Sequence, residues 1–276
     1  MDKKIIFLDI DGTLTEPGKN TPPASALKAI RAAREKGHAV FLCTGRNYDM
    51  MKPLLQYEFD GFISSSGGYV VSGEEVIYDC PMTEEQQKLA LEVFERNGVF
   101  RTVECNEGSY TDEGFKEFLR QNAEKSGNSE FLRWREQLEQ SLNIRPMEEY
   151  KNQPIYKMVL MAPQEEGLKE PLELLGKDFN FCIQEKNKAG FVNCELINRK
   201  FDKGQAMEVV CSYLGIPMSK TYAFGDSMND LEMMEKAAVS ICMENGSDKL
   251  KELADYICPS VLEDGLFKAF VKYELL

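Results

Sequence analysis

The sequence predicts an α/β protein: a Rossmann-like parallel-sheet core into which a second, α+β domain is inserted. Three observations predict it. Up to about residue 80, short apolar runs alternate with helical spacings, and strands alternating with helices imply a parallel sheet covered on both faces. From Thr83 to residue 190 helical segments dominate and strand-like pieces are interspersed, a different texture. After Lys203 the first texture returns. The expected organisation is a discontinuous core of residues 1–82 and 191–276 with residues 83–190 inserted.

Each element follows from the local pattern. Lys4-Ile5-Ile6-Phe7-Leu8 is a short apolar run that meets a polar cluster at Asp9. Ala24 to Lys36 has helical spacing, with Ala26, Leu27, Ile30 and Ala33 on one side and Gly37 as the stop. Ala39 to Cys43 reads as a second buried strand that ends at Thr44-Gly45-Arg46. A helix over Asn47 to Tyr57 and a third strand, Gly61 to Ser64, follow. Tyr69 to Ser72 and Val76 to Tyr78, parted by Gly73-Glu74-Glu75, form a hairpin pattern. In the insertion, helices are expected over Glu84 to Asn97, 114–125 and 131–142, and strands over Val99 to Cys105, Tyr156 to Met161 and Phe179 to Ile183. The returning core reads helix (Lys203 to Leu214), strand (Thr221 to Phe224), helix (Asn229 to Lys236), strand (Val239 to Met243), helix (Ser247 to Ala254) and strand (Tyr256 to Cys258).

Composition excludes several classes. Hydrophobic residues make up 43% and charged residues 29% of 276, values that suit a packed core and not collagen, disorder or a disulfide scaffold. No apolar run approaches the ~20 residues that span a bilayer, and the start offers no secretory signal pattern. The 46 acidic against 33 basic residues give a net charge of −13, which argues against a sequence-independent nucleic-acid binder. An anionic substrate would therefore need local positive charge from a metal, a lysine or helix N-termini. The eight cysteines form no C-x-x-C pair or zinc-like spacing and read as reduced thiols of a cytoplasmic protein. His38 is the single histidine and reads as structural. No second histidine exists for a Ser-His-Asp triad or a His-rich zinc site.

Chemistry concentrates at strand ends. Asp9-Ile10-Asp11-Gly12-Thr13 directly follows the first strand, at the carboxyl edge where open α/β sheets bind ligands. Two carboxylates at i and i+2 on a turn can diverge, one toward a metal and substrate and the other toward a leaving group. A calcium loop would need glycine at its sixth position, where this chain has Leu14. A solvated acidic turn is the plain alternative. Gly225-Asp226-Ser227-Met228-Asn229-Asp230 also follows an apolar strand and opens a helix. Asp226 and Asp230 supply the hard oxygens that magnesium prefers; alone they would also read as an acidic first helical turn. Thr44-Gly45-Arg46 offers a hydroxyl and helix N–H groups to a phosphoryl oxygen. Lys203 could supply a point charge, although by composition it would more often be a surface lysine. No P-loop and no G-x-G-x-x-G is present.

These motifs, in this order, resemble those of the haloacid-dehalogenase superfamily, specifically the Cof-like type-IIB phosphatases with a large α/β cap. The resemblance extends through Leu14, Lys203-Gly204, Met243-Glu244-Asn245-Gly246, Ala254-Asp255 and Glu263-Asp264-Gly265. It implies a HAD-like core (1–82 and 191–276) and makes the insertion the cap. It further implies that Asp9 is the nucleophile that forms an aspartyl-phosphate, and that Asp11 is general acid and then general base. Asp9 and Asp226 would ligate Mg2+ by carboxylates and Asp11 by its backbone carbonyl, with Asp230 as ligand or close support. Thr44, Gly45, Lys203 and Asn229 would hold the phosphoryl group. One stretch departs from the subfamily: Ser64-Ser65-Ser66-Gly67-Gly68 stands where Asn-Gly is usual, so Ser66 replaces an amide that lies near the substrate.

The expected function is magnesium-dependent hydrolysis of a small phosphorylated metabolite, a sugar phosphate or phosphorylated cofactor, with the cap setting substrate choice. No nucleic acid, membrane or protein partner is implied. The alternatives are a phosphomannomutase-like phosphotransferase, which returns the phosphoryl group to substrate, and a non-catalytic binder of a phosphate ligand.

Overall fold

The computed structural model describes residues 3–115, 117, 144–186 and 191–276. The helices expected over 114–125 and 131–142 lie outside the described residues, apart from Gly114, Phe115 and Glu117, which are helical. The chain divides into two compact units. One comprises Met1–Arg46, Met51–Asp79 and Phe201–Leu276, the other Asn47–Met50 and Cys80–Lys200.

Strands are numbered along the whole chain. The first unit contains β1 (Ile5–Leu8), β2 (Ala39–Cys43), β3 (Gly61–Ser64), β4 (Tyr69–Ser72) and β5 (Glu75–Asp79). The second contains β6 (Phe100–Cys105), β7 (Gly108–Thr111), β8 (Ile144–Pro146), β9 (Lys157–Ala162), β10 (Phe179–Lys186) and β11 (Val192–Asn198). The chain then returns to the first unit with β12 (Thr221–Gly225), β13 (Val239–Met243) and β14 (Tyr256–Cys258).

The first unit is built on a sheet of order β14-β13-β12-β1-β2-β3-β4-β5. Strands β14 through β3 are parallel, as the alternating pattern requires, while β4 and β5 close that edge as an antiparallel hairpin. In β1 all four residues are fully buried, because helices cover both faces of a parallel sheet. Burial of such side chains contributes about 1.5–3 kcal/mol each. Helix Ala24–Glu35 buries Ala26, Ala29, Ile30 and Ala33, a single face at helical spacing. Helix Lys203–Leu214 buries Ala206, Met207, Val210 and Cys211 against a cluster that includes Ile5, Phe7, Phe41 and Ile63. A C-terminal helix, Gly265–Lys272, was not apparent from the sequence; its Phe270 ring lies 5.4 Å from that of Phe224.

The eleven-residue helix expected from Asn47 to Tyr57 is instead a short α-turn, Tyr48–Met51, that runs into a 3₁₀ segment, Lys52–Tyr57. Pro53 explains the break, since it lacks the amide proton that would continue the helical ladder.

The second unit carries a sheet of order β10-β11-β9-β6-β7-β8, antiparallel except between β7 and β8. Alternation sorts its faces. Val103, Tyr110, Met158, Leu160, Cys194 and Leu196 pack with Ala90, Val93 and Phe94 of helix Glu84–Arg96. The opposite face holds Lys157, whose Nζ lies 2.9 Å from Glu195 and 3.4 Å from Glu104. Strand β11 shifts an expected border. Residues 191–200 group with the second unit and the first resumes at Phe201, not 191, because β11 pairs on both sides with β9 and β10. At the other border the second unit begins at Cys80, not 83.

None of the eight cysteines forms a disulfide. No helix among the described residues is long and apolar enough to cross a membrane. His38 is buried, and its Nδ1 accepts a hydrogen bond from the Lys4 amide, a structural contact.

Candidate active site

The register of the first sheet gathers three loops at one edge. Leu8 stands beside Phe224 on one neighbour and Leu42 on the other, so β12, β1 and β2 end within two residues of one another. Asp9 leaves β1 with its amide still bonded to the Phe224 carbonyl at 3.0 Å. The sheet is extended from β1 in both directions by later strands, which is the switch point where open α/β sheets bind ligands.

Lys203 ties the site together from the start of its helix. Its ammonium is fully buried and donates to Asp9 Oδ1 at 2.7 Å, Asp230 Oδ1 at 2.6 Å and Asn229 Oδ1 at 3.3 Å. Burial alone would lower its pKa, but the Asp230 and Asp9 carboxylates outweigh burial and hold it above its ordinary value. A lysine with three short acceptors is held as a charge, unlike the surface lysine that composition alone suggests.

The carboxylates are placed by reciprocal contacts. Asp230 Oδ2 accepts from the amides of Asp226 and Ser227, both at 3.0 Å, which closes the loop after β12. That loop needs Gly225, since a Cβ there would sit 2.6 Å from the Asp230 Cβ. Asp226 accepts from Thr13 Oγ1 at 3.1 Å and from Asn245 Nδ2 at 3.3 Å, while Asn245 also donates to the Gly12 carbonyl at 3.0 Å. Gly12 has φ +87°, and a Cβ on it would collide with Asp226 Oδ2. Glycine is therefore required there on two counts.

Asp9, Asp226 and Asp230 each offer an oxygen within 4.8 Å of the others. Three carboxylates against one ammonium leave the cluster short of positive charge. Burial first, and then neighbouring carboxylates, push both Asp9 and Asp226 above the usual carboxylate range, against the pull of Lys203. Asp9 Oδ2 accepts no hydrogen bond from the described residues. A set of hard oxygens with a charge deficit fits a small divalent cation.

Asp11 is not part of this cluster. Its carboxylate accepts Arg46 Nε at 2.8 Å and Nη2 at 2.7 Å, and the Gly18 amide at 2.7 Å. Arg46 also donates to Asn20 Oδ1 and the Lys19 carbonyl, so one buried guanidinium fixes the loop that follows the first motif. Thr44 directly follows β2, with its Oγ1 accepting the Arg46 amide at 3.1 Å, which leaves its own O–H to donate. Gly45 lies between them. Asn229 has its amide oxygen engaged by Lys203 and by Ser227 Oγ at 2.7 Å, which leaves its NH2 group as a donor.

The residues expected from the sequence thus fall in three places: Asp9, Asp226, Asp230, Lys203 and Asn229 together, Asp11 on Arg46, and Thr44 with Gly45 at the end of β2. Sequence reasoning gave no role to Arg46, Thr13 or Asn245. For Arg46 a signal existed: an arginine at a buried strand end demands a carboxylate partner.

Residues 6–270 match the model of the haloacid dehalogenase-like hydrolase family. Among curated proteins, the chain is 28% identical to YkrA of Bacillus subtilis, with the whole of both chains covered. It is 27% identical to a phosphoglycolate phosphatase of Methanobrevibacter smithii, again over both whole chains. Its identity to the 5-amino-6-(5-phospho-D-ribitylamino)uracil phosphatase YwtE of Bacillus subtilis is 27%, over 95% of each chain. Among solved structures, a HAD subclass IIB sugar phosphatase aligns with a TM-score of 0.77 at 25% identity, covering 99% of this chain and 100% of that one. A Geobacillus kaustophilus protein aligns at 0.80 and 24% identity over 99% and 100%, a likeness of fold.

Proposed function

Since the chain belongs to the haloacid dehalogenase-like hydrolases and is a phosphatase of that family, we propose that it hydrolyses small phosphomonoesters of metabolites in a magnesium-dependent reaction through an aspartyl-phosphate on Asp9. The observation that carries this reading is the Lys203 ammonium bridging Asp9 and Asp230 beside Asp226 at the sheet's carboxyl edge.

Magnesium, held by Asp9 and Asp226 with the Asp11 carbonyl and Asp230, would neutralise the approach of a phosphate dianion to a carboxylate. The chain's own residues do the rest. Lys203 occupies Asp9 Oδ1, which leaves Oδ2 as the oxygen that attacks phosphorus. The P–O bond to the leaving group breaks as the new bond to Oδ2 forms, and Asp11 delivers a proton to the departing alkoxide. Asp11 then takes a proton from water as that water attacks phosphorus, releasing phosphate and restoring Asp9. Arg46 and the Gly18 amide fix the position of the Asp11 carboxyl group for both steps. The Thr44 hydroxyl, the turn at Gly45, the Lys203 ammonium and the Asn229 NH2 supply donors for the phosphoryl oxygens.

The direct test is phosphate release from a panel of phosphorylated metabolites, with magnesium and with EDTA. Release that needs magnesium, and needs no added bisphosphate sugar, is expected; release unaffected by EDTA would remove the metal from the account. Asp11→Asn should separate substrates by leaving group. A general acid matters most for a basic alkoxide, so the loss on a sugar phosphate should exceed that on p-nitrophenyl phosphate by about 10- to 100-fold. Equal losses, with chemistry limiting both rates, would take the acid role from Asp11.

A further inference from the structure

We propose that Asn47 and Ser109 position the proton donor Asp11, so that a serine of the second unit's sheet supports acid catalysis in the first unit. The proposal rests on the phosphatase reading, with Asp11 as general acid, and adds two positioning residues to it.

The first border between the units falls at a single peptide bond. Arg46 closes a stretch of the first unit, and Asn47–Met50 group with the second. Asn47 is fully buried, and both ends of its amide are bonded. Its Oδ1 accepts the Met50 amide at 3.0 Å, three residues on, the contact of a residue that caps a helical turn. Its Nδ2 donates to Ser109 Oγ at 2.9 Å, and this contact is buried too. Capping needs only an oxygen, which serine, threonine or aspartate would supply as well. What asparagine adds is the NH2 group, and its partner is Ser109.

Ser109 is a firm anchor. It lies within β7, in register with Glu104 of β6 on one side and Ile144 of β8 on the other. The residue is buried, so removing its hydroxyl would strand the Asn47 donor away from water. Stranding a buried donor costs more than the bond itself contributes.

Arg46 stands one residue before Asn47, and its backbone is held on both sides. Its amide donates to Thr44 Oγ1 at 3.1 Å, and its carbonyl accepts the Ser65 amide at 2.8 Å. That carbonyl belongs to the peptide unit shared with Asn47, so the Ser109 contact fixes the far side of the same unit. The Arg46 guanidinium then forks onto both carboxyl oxygens of Asp11. A planar fork passes its own orientation to the carboxyl group it grips. A general acid must stay within hydrogen-bond reach of the departing oxygen, and small misplacements are costly. Asn20 and the Lys19 carbonyl also hold Arg46, so losing the Ser109 contact should weaken acid catalysis several-fold without abolishing it.

The test compares phenyl phosphate with p-nitrophenyl phosphate, esters of similar shape whose leaving groups differ in basicity. Phenolate needs the proton more than nitrophenolate does. The readout is kcat/KM, which covers only the steps through departure of the leaving group. Ser109→Ala should lower it by at least about fivefold on phenyl phosphate and by less than about twofold on p-nitrophenyl phosphate. Asn47→Ser keeps a capping oxygen but is too short to reach Ser109. It should show the same split, and it covers the case in which Ser109→Ala does not fold. Asp11→Asn should show the split by itself, and adding Ser109→Ala to it should widen the split no further. A merely structural loss would lower both esters alike in either background. An unchanged ratio in a folded variant, or a further change on the Asp11→Asn background, overturns the positioning role. An Asp11→Asn protein with the wild-type ratio removes the acid reading, and wild type that hydrolyses neither ester removes the phosphatase reading; each takes the proposal with it.

Discussion

Asp9→Asn is expected to abolish turnover, with a loss of at least about 10³-fold, and to leave the fold intact. The amide is isosteric and can still accept from Lys203 Nζ, now 2.7 Å from Asp9 Oδ1, so packing is preserved. It cannot form an acyl-phosphate. The substitution also removes a carboxylate that burial and neighbouring charge hold above its usual range, so stability should stay level or rise. Steady-state phosphate release and a thermal melt check both halves. A rate above a tenth of wild type would end the nucleophile assignment.

Lys203→Met is expected to damage both activity and stability. The ammonium is the only cation bonded to Asp9 Oδ1 and Asp230 Oδ1 among the described residues. Breaking a buried ion pair from one side strands the other charge, at about 3–5 kcal/mol. Methionine fills the space without the charge, so urea unfolding in EDTA isolates the electrostatic loss. Lys203→Arg should not restore activity, because a planar fork cannot replace a compact ammonium meeting three acceptors. The rate of Lys203→Met should fall by at least about 10³-fold, since it removes charge from the phosphoryl group and misplaces Asp9 together. A well-folded variant within tenfold of wild type would contradict this.

How much was legible differs by residue. Asp9 to Thr13 and Gly225 to Asp230 announce themselves because each is contiguous and sits at a strand end, so topology alone gathers them. The parallel strands were legible for the same reason: β1 and β2 are unbroken apolar runs. Lys203 is not legible from its surroundings, since its partners lie 194 and 27 residues away and only the folded sheet brings them in. The Arg46 fork to Asp11 is hidden likewise, with the pair 35 residues apart. Strand β11 carried a readable alternation, with Val192, Cys194 and Leu196 on one face. The returning core texture drew the expected border before it. The left-handed turn at Ser65 and Ser66, with φ of 50° and 59°, left no local mark, because serine has no preference for that backbone; the two amides are held by the carbonyls of Arg46 and Thr44.

The central claim is covalent phosphoryl transfer to Asp9, and trapping that species tests it most directly. Wild-type protein mixed with magnesium and a substrate radiolabelled at phosphorus would be quenched in acid within a turnover, digested, and the labelled peptide sequenced. The account predicts label on the peptide that carries Asp9, lost on treatment with hydroxylamine, and absent from Asp9→Asn and from samples in EDTA. Label on any other residue, or phosphate release at full rate by Asp9→Asn, would contradict it.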